Sequence, residues 1–457
     1  MELREKNVLV VGFERTGEAL CRFLLDRGAR VRVTEKKPAE ALGVRMRAFA
    51  GRGVVFETGG HRPESFLGAD LIVPSPGVPP IPELAAAREK GVPVLSEIEL
   101  AFRFLRGRIV GITGSNGKST TTTLIHRILE AGGLRSRLAG NIGTPLVSFV
   151  DKSRDDDIYV TEISSFQLEY TELFLPAVAV LLNVSENHID WHGTFDGYFA
   201  AKKTLVLRQP AGGIAVLNRD DARVWGLAAG TAARVYGFSR RRRPARGAFV
   251  DDGWIVVRDG CPERVLPVSD VKLPGAHNLE NVLAAALVGR LHGVPAAIVR
   301  RAVRDFRGLE HRLEEVPAVA GVRFVNDSKA TTVDATLKAL ASFDRPVVLV
   351  LGGRGKGGDF SPLRAAVRKR VRSVVLVGEA AGKIEAALGG VVPAVRAADY
   401  REVVRTAFAA ARRGDVVLLA PACTSWDMFA NFEERGRTFK AEVRRLAAAL
   451  RRRGGRR

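Results

Sequence analysis

The chain has 457 residues, too many for one ordinary hydrophobic core, and about three domains of typical size would account for it. With 46% hydrophobic and 26% charged residues it reads as a folded globular protein, and no uncharged stretch is long enough to span a bilayer. The net charge of +21 raises nucleic acid as a partner, but the dense arginine clusters (Arg240-Arg241-Arg242-Arg243 and the tail Arg451-Arg452-Arg453, Arg456-Arg457) lack interleaved aromatics and any binding signature, so none is expected.

The amino terminus enters a strand without an apolar leader, and Cys21, Cys261 and Cys423 are few, odd in number and far apart. Both features predict a cytoplasmic protein with neither a disulfide frame nor a zinc site. Val8-Leu9-Val10-Val11 reads as a buried strand, followed by Gly12, Gly17 and a helix ending near Gly28. Val31-Arg32-Val33, Asp70-Leu71-Ile72-Val73 and Val92-Pro93-Val94-Leu95, the last just before Glu97, read as further strands. Strands alternating with helix-length patterns predict a parallel sheet with helices on both faces. The glycine order is not a dinucleotide fingerprint, because Glu14 stands where a second glycine would let pyrophosphate approach. A nicotinamide enzyme is therefore disfavoured, although Glu35 after the second strand could bind a ribose or a base edge.

A second block starts at Arg108. Its β-branched run ends in Thr113-Gly114-Ser115-Asn116-Gly117-Lys118-Ser119-Thr120 and passes into a helix pattern. Strand, glycine loop, lysine, hydroxyl and helix make a triphosphate cradle, in which helix-start N–H groups face the anion. Lys118 is placed for the terminal phosphates and Ser119 for Mg²⁺. The spacing departs from the strict motif, since position 112 is Ile and the nearest upstream glycine is Gly111. Glu162 closes the strand Ile158-Tyr159-Val160-Thr161 beside this loop, and His188 follows the buried run 177–184. A lone histidine is ordinarily structural; one on the same sheet edge as a phosphate loop and a carboxylate is a metal-ligand candidate. Lys202, in Ala200-Ala201-Lys202-Lys203, reads by itself as a surface helix lysine. Residues 247–268 carry short strands with Asp-Gly turns, predicting a small antiparallel appendage, and a helix pattern runs from Asn278 through His292. The third block begins near Gly308, with strands at 322–325, 347–351, 374–377 and 416–420.

These residues carry a resemblance. The run 113–120, Glu162-Ile163-Ser164-Ser165-Phe166-Gln167-Leu168, the run 183–190 and Gly275-Ala276-His277-Asn278 resemble the Mur ligases. Asn326-Asp327-Ser328-Lys329-Ala330-Thr331, Gly352-Gly353-Arg354-Gly355-Lys356, the run 421–427 and the run 431–436 are similar to the D-glutamate-adding branch of that family. Other branches and folylpolyglutamate synthases carry an Asp-Tyr-Ala-His type sequence where this chain has Asp327-Ser328-Lys329-Ala330; a ligase of that kind is the alternative reading.

The resemblance implies an α/β fold of three domains, each a mainly parallel sheet with flanking helices. They would be a Rossmann-like UDP-substrate domain over 1–106, a central P-loop ATPase domain over 107–307 and a Rossmann-like amino-acid-binding domain over 308–457. It implies ATP-dependent amide synthesis through an acyl phosphate, with UDP-N-acetylmuramoyl-L-alanine, D-glutamate and ATP as substrates and a monomer as the working form. By the same resemblance Gly114, Ser115, Asn116, Gly117, Lys118, Ser119 and Thr120 cradle the phosphates. Ser119 and Glu162 hold one Mg²⁺, and His188 a second beside Lys202, whose amine would be N6-carboxylated by carbon dioxide. Asn141 would touch the sugar-linked substrate near the reacting group. Asn281, Arg312 and Asp327 would hold adenine and ribose. Lys329, Thr331, Lys356, Ser425 and Phe432 would take the amino acid, and Arg15, Thr16, Glu35, Lys37 and Ser75 the uridine diphosphate. The chain departs from the family pattern at Glu14, at Lys36-Lys37 where a Thr-Arg pair is frequent, and at Arg354 where Asp is common.

Overall fold

A computed structural model describes residues 1–355 and 358–454. Near-continuous apolar runs become strands buried on both faces, and three sheets result. The first holds β1 (Asn7–Val11), β2 (Arg30–Glu35), β3 (Val55–Thr58) and β4 (Leu71–Pro74), all parallel in the order β3-β2-β1-β4. Period-two alternation sends Val8 and Val10 into one core with Leu20 and Phe23, and Leu9 and Val11 into another with Phe66 and Ile72. The expected strand at 92–95 is only a single bridge, Ile72 to Val94. Pro93 has no N–H for a ladder, and contact is made through its carbonyl to Ile72 N (2.9 Å).

The second sheet holds β5 (Arg108–Thr113), β6 (Ser136–Gly140), β7 (Ile158–Glu162), β8 (Val178–Leu181), β9 (Ile214–Asn218), β10 (Arg234–Ser239), β11 (Gly247–Asp251), β12 (Trp254–Asp259) and β13 (Cys261–Pro267). The order is β13-β12-β11-β10-β9-β8-β5-β7-β6. The connection leaving β5 runs to β6 on one side and that leaving its neighbour β8 runs to β9 on the other, so the carboxyl ends of β5 and β8 form a topological switch point, where α/β sheets open a crevice for ligands. The predicted appendage is antiparallel from β11 to β13, but it continues the central sheet, because β11 pairs in parallel with β10. Gly247 makes this junction: a Cβ there would fall 1.6 Å from the carbonyl oxygen of Gly237.

The third sheet holds β14 (Glu314–Val319), β15 (Val322–Asn326), β16 (Val347–Gly352), β17 (Val371–Val377), β18 (Ala394–Arg396) and β19 (Val416–Leu419). Its order is β14-β15-β19-β16-β17-β18, parallel except for β14. The chain forms two compact units. One comprises Met1–Val271 with Leu279–Asp305; the other comprises Lys272–Asn278 with the chain from Phe306 onward. Within the first unit the first two sheets share a core, in which Ile98 and Leu100 join Leu146, Val147 and Phe174. Among the described residues no helix is long and apolar enough to cross a membrane.

Candidate active site

Thr113 ends β5, and the loop 114–117 turns directly into the helix Lys118–Ala131. Gly117 has φ +83°, and a Cβ on it would lie 2.2 Å from Asn281 Oδ1. Gly114, at φ +153°, backs onto Leu182 and Asn183. Glycine at these two positions lets the chain bend tightly enough to present the helix start, whose first N–H groups have no intrahelical partner. Asn183 fixes the loop, accepting from Asn116 N (2.9 Å) and donating to Asn116 O (3.1 Å). Ser115 Oγ donates to Ser185 O (3.0 Å), accepts from Ser185 N (2.9 Å) and lies 3.0 Å from the Tyr198 hydroxyl. Lys118 Nζ curls back onto the carbonyls of Gly114 and Ser115 at 2.8 and 3.1 Å. Ser119 and Thr120 are buried in the first helical turn.

Lys202, on the helix Phe195–Leu207, is 1% exposed and not a surface lysine. Its Nζ lies 3.1 Å from Thr113 Oγ1 and 4.8 Å from the centre of the Tyr198 ring, while the Thr113 hydroxyl donates to Ile163 O (2.8 Å). Burial drives its pKa well below that of an ordinary lysine; Lys118 repels the charged form further, and Glu162 opposes the shift. Glu162 is buried at the carboxyl end of β7, and its Oε1 accepts from Asn141 Nδ2 at 3.0 Å. His188 has φ +55° and precedes the short helix Ile189–His192. Its ring meets that of Phe166 edge-on at 4.7 Å and lies 6.2 Å from Tyr198. Lys118, Glu162, Asn141, Lys202 and the phosphate loop thus gather at the carboxyl ends of β5 to β7, and Asn281 lies against Gly117.

At the carboxyl ends of the first sheet, Glu35 accepts from the N–H groups of Phe13 (2.8 Å) and Lys37 (3.0 Å). Ser75 Oγ donates to Gly12 O (3.0 Å), and Arg15 and Thr16 open the helix Arg15–Leu25. Glu14, the departure from the glycine pattern, pairs with both Lys37 and Arg45. Burial raises its pKa, but these two cations outweigh that and hold it below the usual carboxylate range.

In the second unit Asp327 follows β15 and is pushed up to about 7 by burial, with Arg312 and the N–H of Leu313 opposing. Lys329 Nζ sits 5.1 Å from the centre of the Phe432 ring, and Ser425 is buried nearby in sequence to Cys423. Arg435 joins these segments. It is 1% exposed, donates from Nε to Ser328 Oγ (2.9 Å) and from Nη2 to Ser328 O (2.8 Å), and reaches the carbonyls of Cys423 and Thr424 at 3.0–3.1 Å. Arg354 pairs instead with Glu379 (2.8 Å). Lys356 lies outside the described residues. Glu310, His311 and Glu314 could form a metal cluster by spacing, but Lys440 Nζ occupies both carboxylates at 2.5 and 2.7 Å.

Family models match all three sheets: the Mur ligase MurD-like N-terminal domain over 6–96, the Mur ligase middle domain over 112–289 and the Mur ligase glutamate ligase domain over 311–423. The chain belongs to the Mur ligase family. The UDP-N-acetylmuramoylalanine--D-glutamate ligase of Acidobacterium capsulatum is 48% identical over 444 residues, covering 96% of each chain. That of Koribacter versatilis is 46% identical, covering 98% of this chain and 99% of its own. Among solved structures, the UDP-N-acetylmuramate-alanine ligase of Thermotoga maritima superposes with a TM-score of 0.59 at 18% identity, covering 97% of this chain and 100% of that one. That likeness shows the fold.

Sequence reasoning assigned no role to Tyr198, Thr113, Asn183 or Arg435. Tyr198 stands four residues before Lys202 on one helix face, a signal that periodicity could have supplied. The partners of Arg435 are more than a hundred residues away along the chain for Ser328, and no spacing announces them.

Proposed function

We infer that this Mur ligase joins D-glutamate to UDP-N-acetylmuramoyl-L-alanine at the expense of ATP, releasing ADP and phosphate in peptidoglycan precursor synthesis. The observation that carries the chemistry is a buried lysine, Lys202, set beside a phosphate loop and a buried glutamate. An ordinary ammonium would repel metal there, whereas an amine kept neutral by burial is the form that adds carbon dioxide. Carboxylated, it offers oxygen to a cation. Glu162, the Ser119 hydroxyl and carboxylated Lys202 would supply hard oxygen donors suited to Mg²⁺, with the His188 imidazole as a further ligand to one of two ions. When bound, these ions supply the positive charge that lets a carboxylate approach a triphosphate.

The rest is done by the chain. The loop 114–120 binds the phosphates, Lys118 leaves the Gly114 and Ser115 carbonyls to neutralise the terminal phosphate, and Asn281 and the pair Arg312 and Asp327 hold the nucleoside. Asn141 steadies Glu162 and faces the sugar-linked substrate. Attack of the alanyl carboxylate on the γ-phosphorus forms an acyl phosphate and ADP; attack of the D-glutamate amine on the acyl carbon then expels phosphate. Lys329, Thr331, Ser425 and Phe432, with Lys356, take D-glutamate. Arg15, Thr16, Glu35, Lys37 and Ser75 take the uridine diphosphate. The domains run over 1–106, 107–307 and 308–457. Three free cysteines, two of them buried, accord with a reducing cytoplasm. The test is phosphate release with ATP, Mg²⁺ and the muramoyl-alanine nucleotide: D-glutamate should support it and L-glutamate should not. Turnover of L-glutamate with a folate instead would establish the alternative ligase.

A further inference from the structure

The connection between β7 and β8 begins at Glu162, runs through the helix Ser165–Glu169 and returns through residues 170–177. Its return stretch is held by the helix Glu97–Phe102, which precedes β5 and belongs to the shared core of the first two sheets. Glu99 on that helix is 0% exposed. Its Oε2 accepts three consecutive main-chain N–H groups, those of Glu172, Leu173 and Phe174, at 2.9, 3.0 and 2.9 Å. Its Oε1 accepts from Arg103 Nε (2.7 Å), and Arg103 Nη2 reaches on to Glu172 (2.7 Å). Ser96 N donates to Tyr170 O (2.8 Å), and the Phe102 and Phe174 rings meet edge-on at 5.5 Å. Removing a carboxylate from water is costly unless donors replace the water, and here every donor but one comes from a single main-chain stretch. The same connection carries Phe166, whose ring lies 3.9 Å from Trp191 and 4.7 Å from His188, and Glu169, which accepts from Trp191 Nε1 (3.1 Å).

We propose that Glu99 is a positioning residue for the metal edge: by clamping residues 172–174 it sets the β7–β8 connection so that Glu162 and His188 present their ligand atoms together. It ties that edge to the helix that leaves the uridine-nucleotide sheet. This rests on the reading of Glu162 and His188 as metal ligands. Groups that orient metal ligands cost about 10–100-fold in metal affinity when removed.

The test uses the full chain and its Glu99→Ala, Glu99→Asp, Glu99→Gln and Arg103→Ala variants. Mn²⁺ binding in the presence of ADP is followed by electron paramagnetic resonance, alongside kcat and the KM for D-glutamate. Ala and Asp, neither of which reaches the three N–H groups, should weaken Mn²⁺ at least about tenfold and lower kcat in step. The KM for D-glutamate should not move. Gln, whose amide oxygen still meets the three N–H groups but whose NH2 cannot accept from Arg103, should fall between Ala and the unaltered chain. Unchanged Mn²⁺ affinity in Glu99→Ala, with only a lower melting temperature, overturns the proposal. Should Glu99→Ala and Glu99→Asp not fold, Arg103→Ala carries the test: loss of the brace should weaken Mn²⁺, and an unchanged affinity overturns the proposal. No Mn²⁺ binding by the unaltered chain overturns the metal reading and this one with it.

Discussion

Lys202 shows how one burial decides a chemistry. A lysine in water holds its proton and cannot react with carbon dioxide; one that is 1% exposed and repelled by Lys118 gives it up readily. On the proposed carboxylated role, Lys202→Ala should therefore remove most of the activity, by about 10²-fold or more. Added acetate or formate should restore part of it by entering the vacated space, which initial-rate assays with and without these anions will measure. Full activity in the variant without additives would exclude the carboxylated role. Arg435 poses a different problem, because among the described residues its buried charge has no ion pair at hydrogen-bond distance and is held by a hydroxyl and three carbonyls. Arg435→Met takes the guanidinium donors from the Ser328 and Cys423 carbonyls, while Thr424 O keeps Arg354 N (3.0 Å), and should cost about 3 kcal/mol of stability in the second unit. It should also raise the KM for D-glutamate, because Ser328 precedes Lys329 and Thr424 precedes Ser425. Thermal melting and substrate titration separate the two effects.

The phosphate loop is an element in which backbone and neighbour agree. Gly117 sits at a φ that side chains resist, and a Cβ would drive into Asn281 Oδ1. Gly117→Ala should cost about 1–3 kcal/mol in strain and weaken ADP at least tenfold, by displacing Asn281, while leaving D-glutamate binding unaltered. Calorimetric titration with ADP checks this. The element was legible in the sequence because its chemistry is local: two glycines, a lysine and a hydroxyl lie within residues 114–119, directly after a buried strand. The three sheets were legible for the same reason, as apolar runs separated by helix-length patterns. What was illegible depends on contacts between distant segments. Lys202 and Lys203 are neighbours, and the one that is buried meets Thr113, 89 residues away. Likewise Glu99 looks like any helix carboxylate until residues 172–174 fold onto it. The antiparallel hairpins after β10 could be foreseen from their Asp-Gly turns, but their attachment to the central sheet required the backbone contact at Gly247.

Over the whole molecule, buried acids tie stability to pH. Glu97 in the first unit accepts from Val147 N (2.6 Å) and is pushed up to about 7 by burial, against the N–H groups of Val147 and Leu146. Asp327 in the second unit is likewise pushed to about 7. A raised carboxyl pKa means that the native state keeps a proton the unfolded chain has released. The stabilisation is fully present below the unfolded pKa, near 4, and is lost as pH rises through about 7. Each group accounts for a change on the order of 3 kcal/mol across that window. Carboxylates with depressed pKa, such as Glu14 and Asp415, act in the opposite sense, but only as pH falls through their lowered values, below the usual carboxylate range. Melting between pH 5 and 8 therefore isolates the buried acids. The melting temperature should fall up to about pH 7 and level off above it, and Glu97→Gln should flatten the curve for the first unit by removing the titrating proton while keeping an acceptor for Val147 N. Asp327→Asn should do the same for the second unit alone. A Glu97→Gln chain whose melting temperature followed pH as steeply as the unaltered one would show that Glu97 ionises in the folded protein as freely as in water, and that its burial does not govern the pH response.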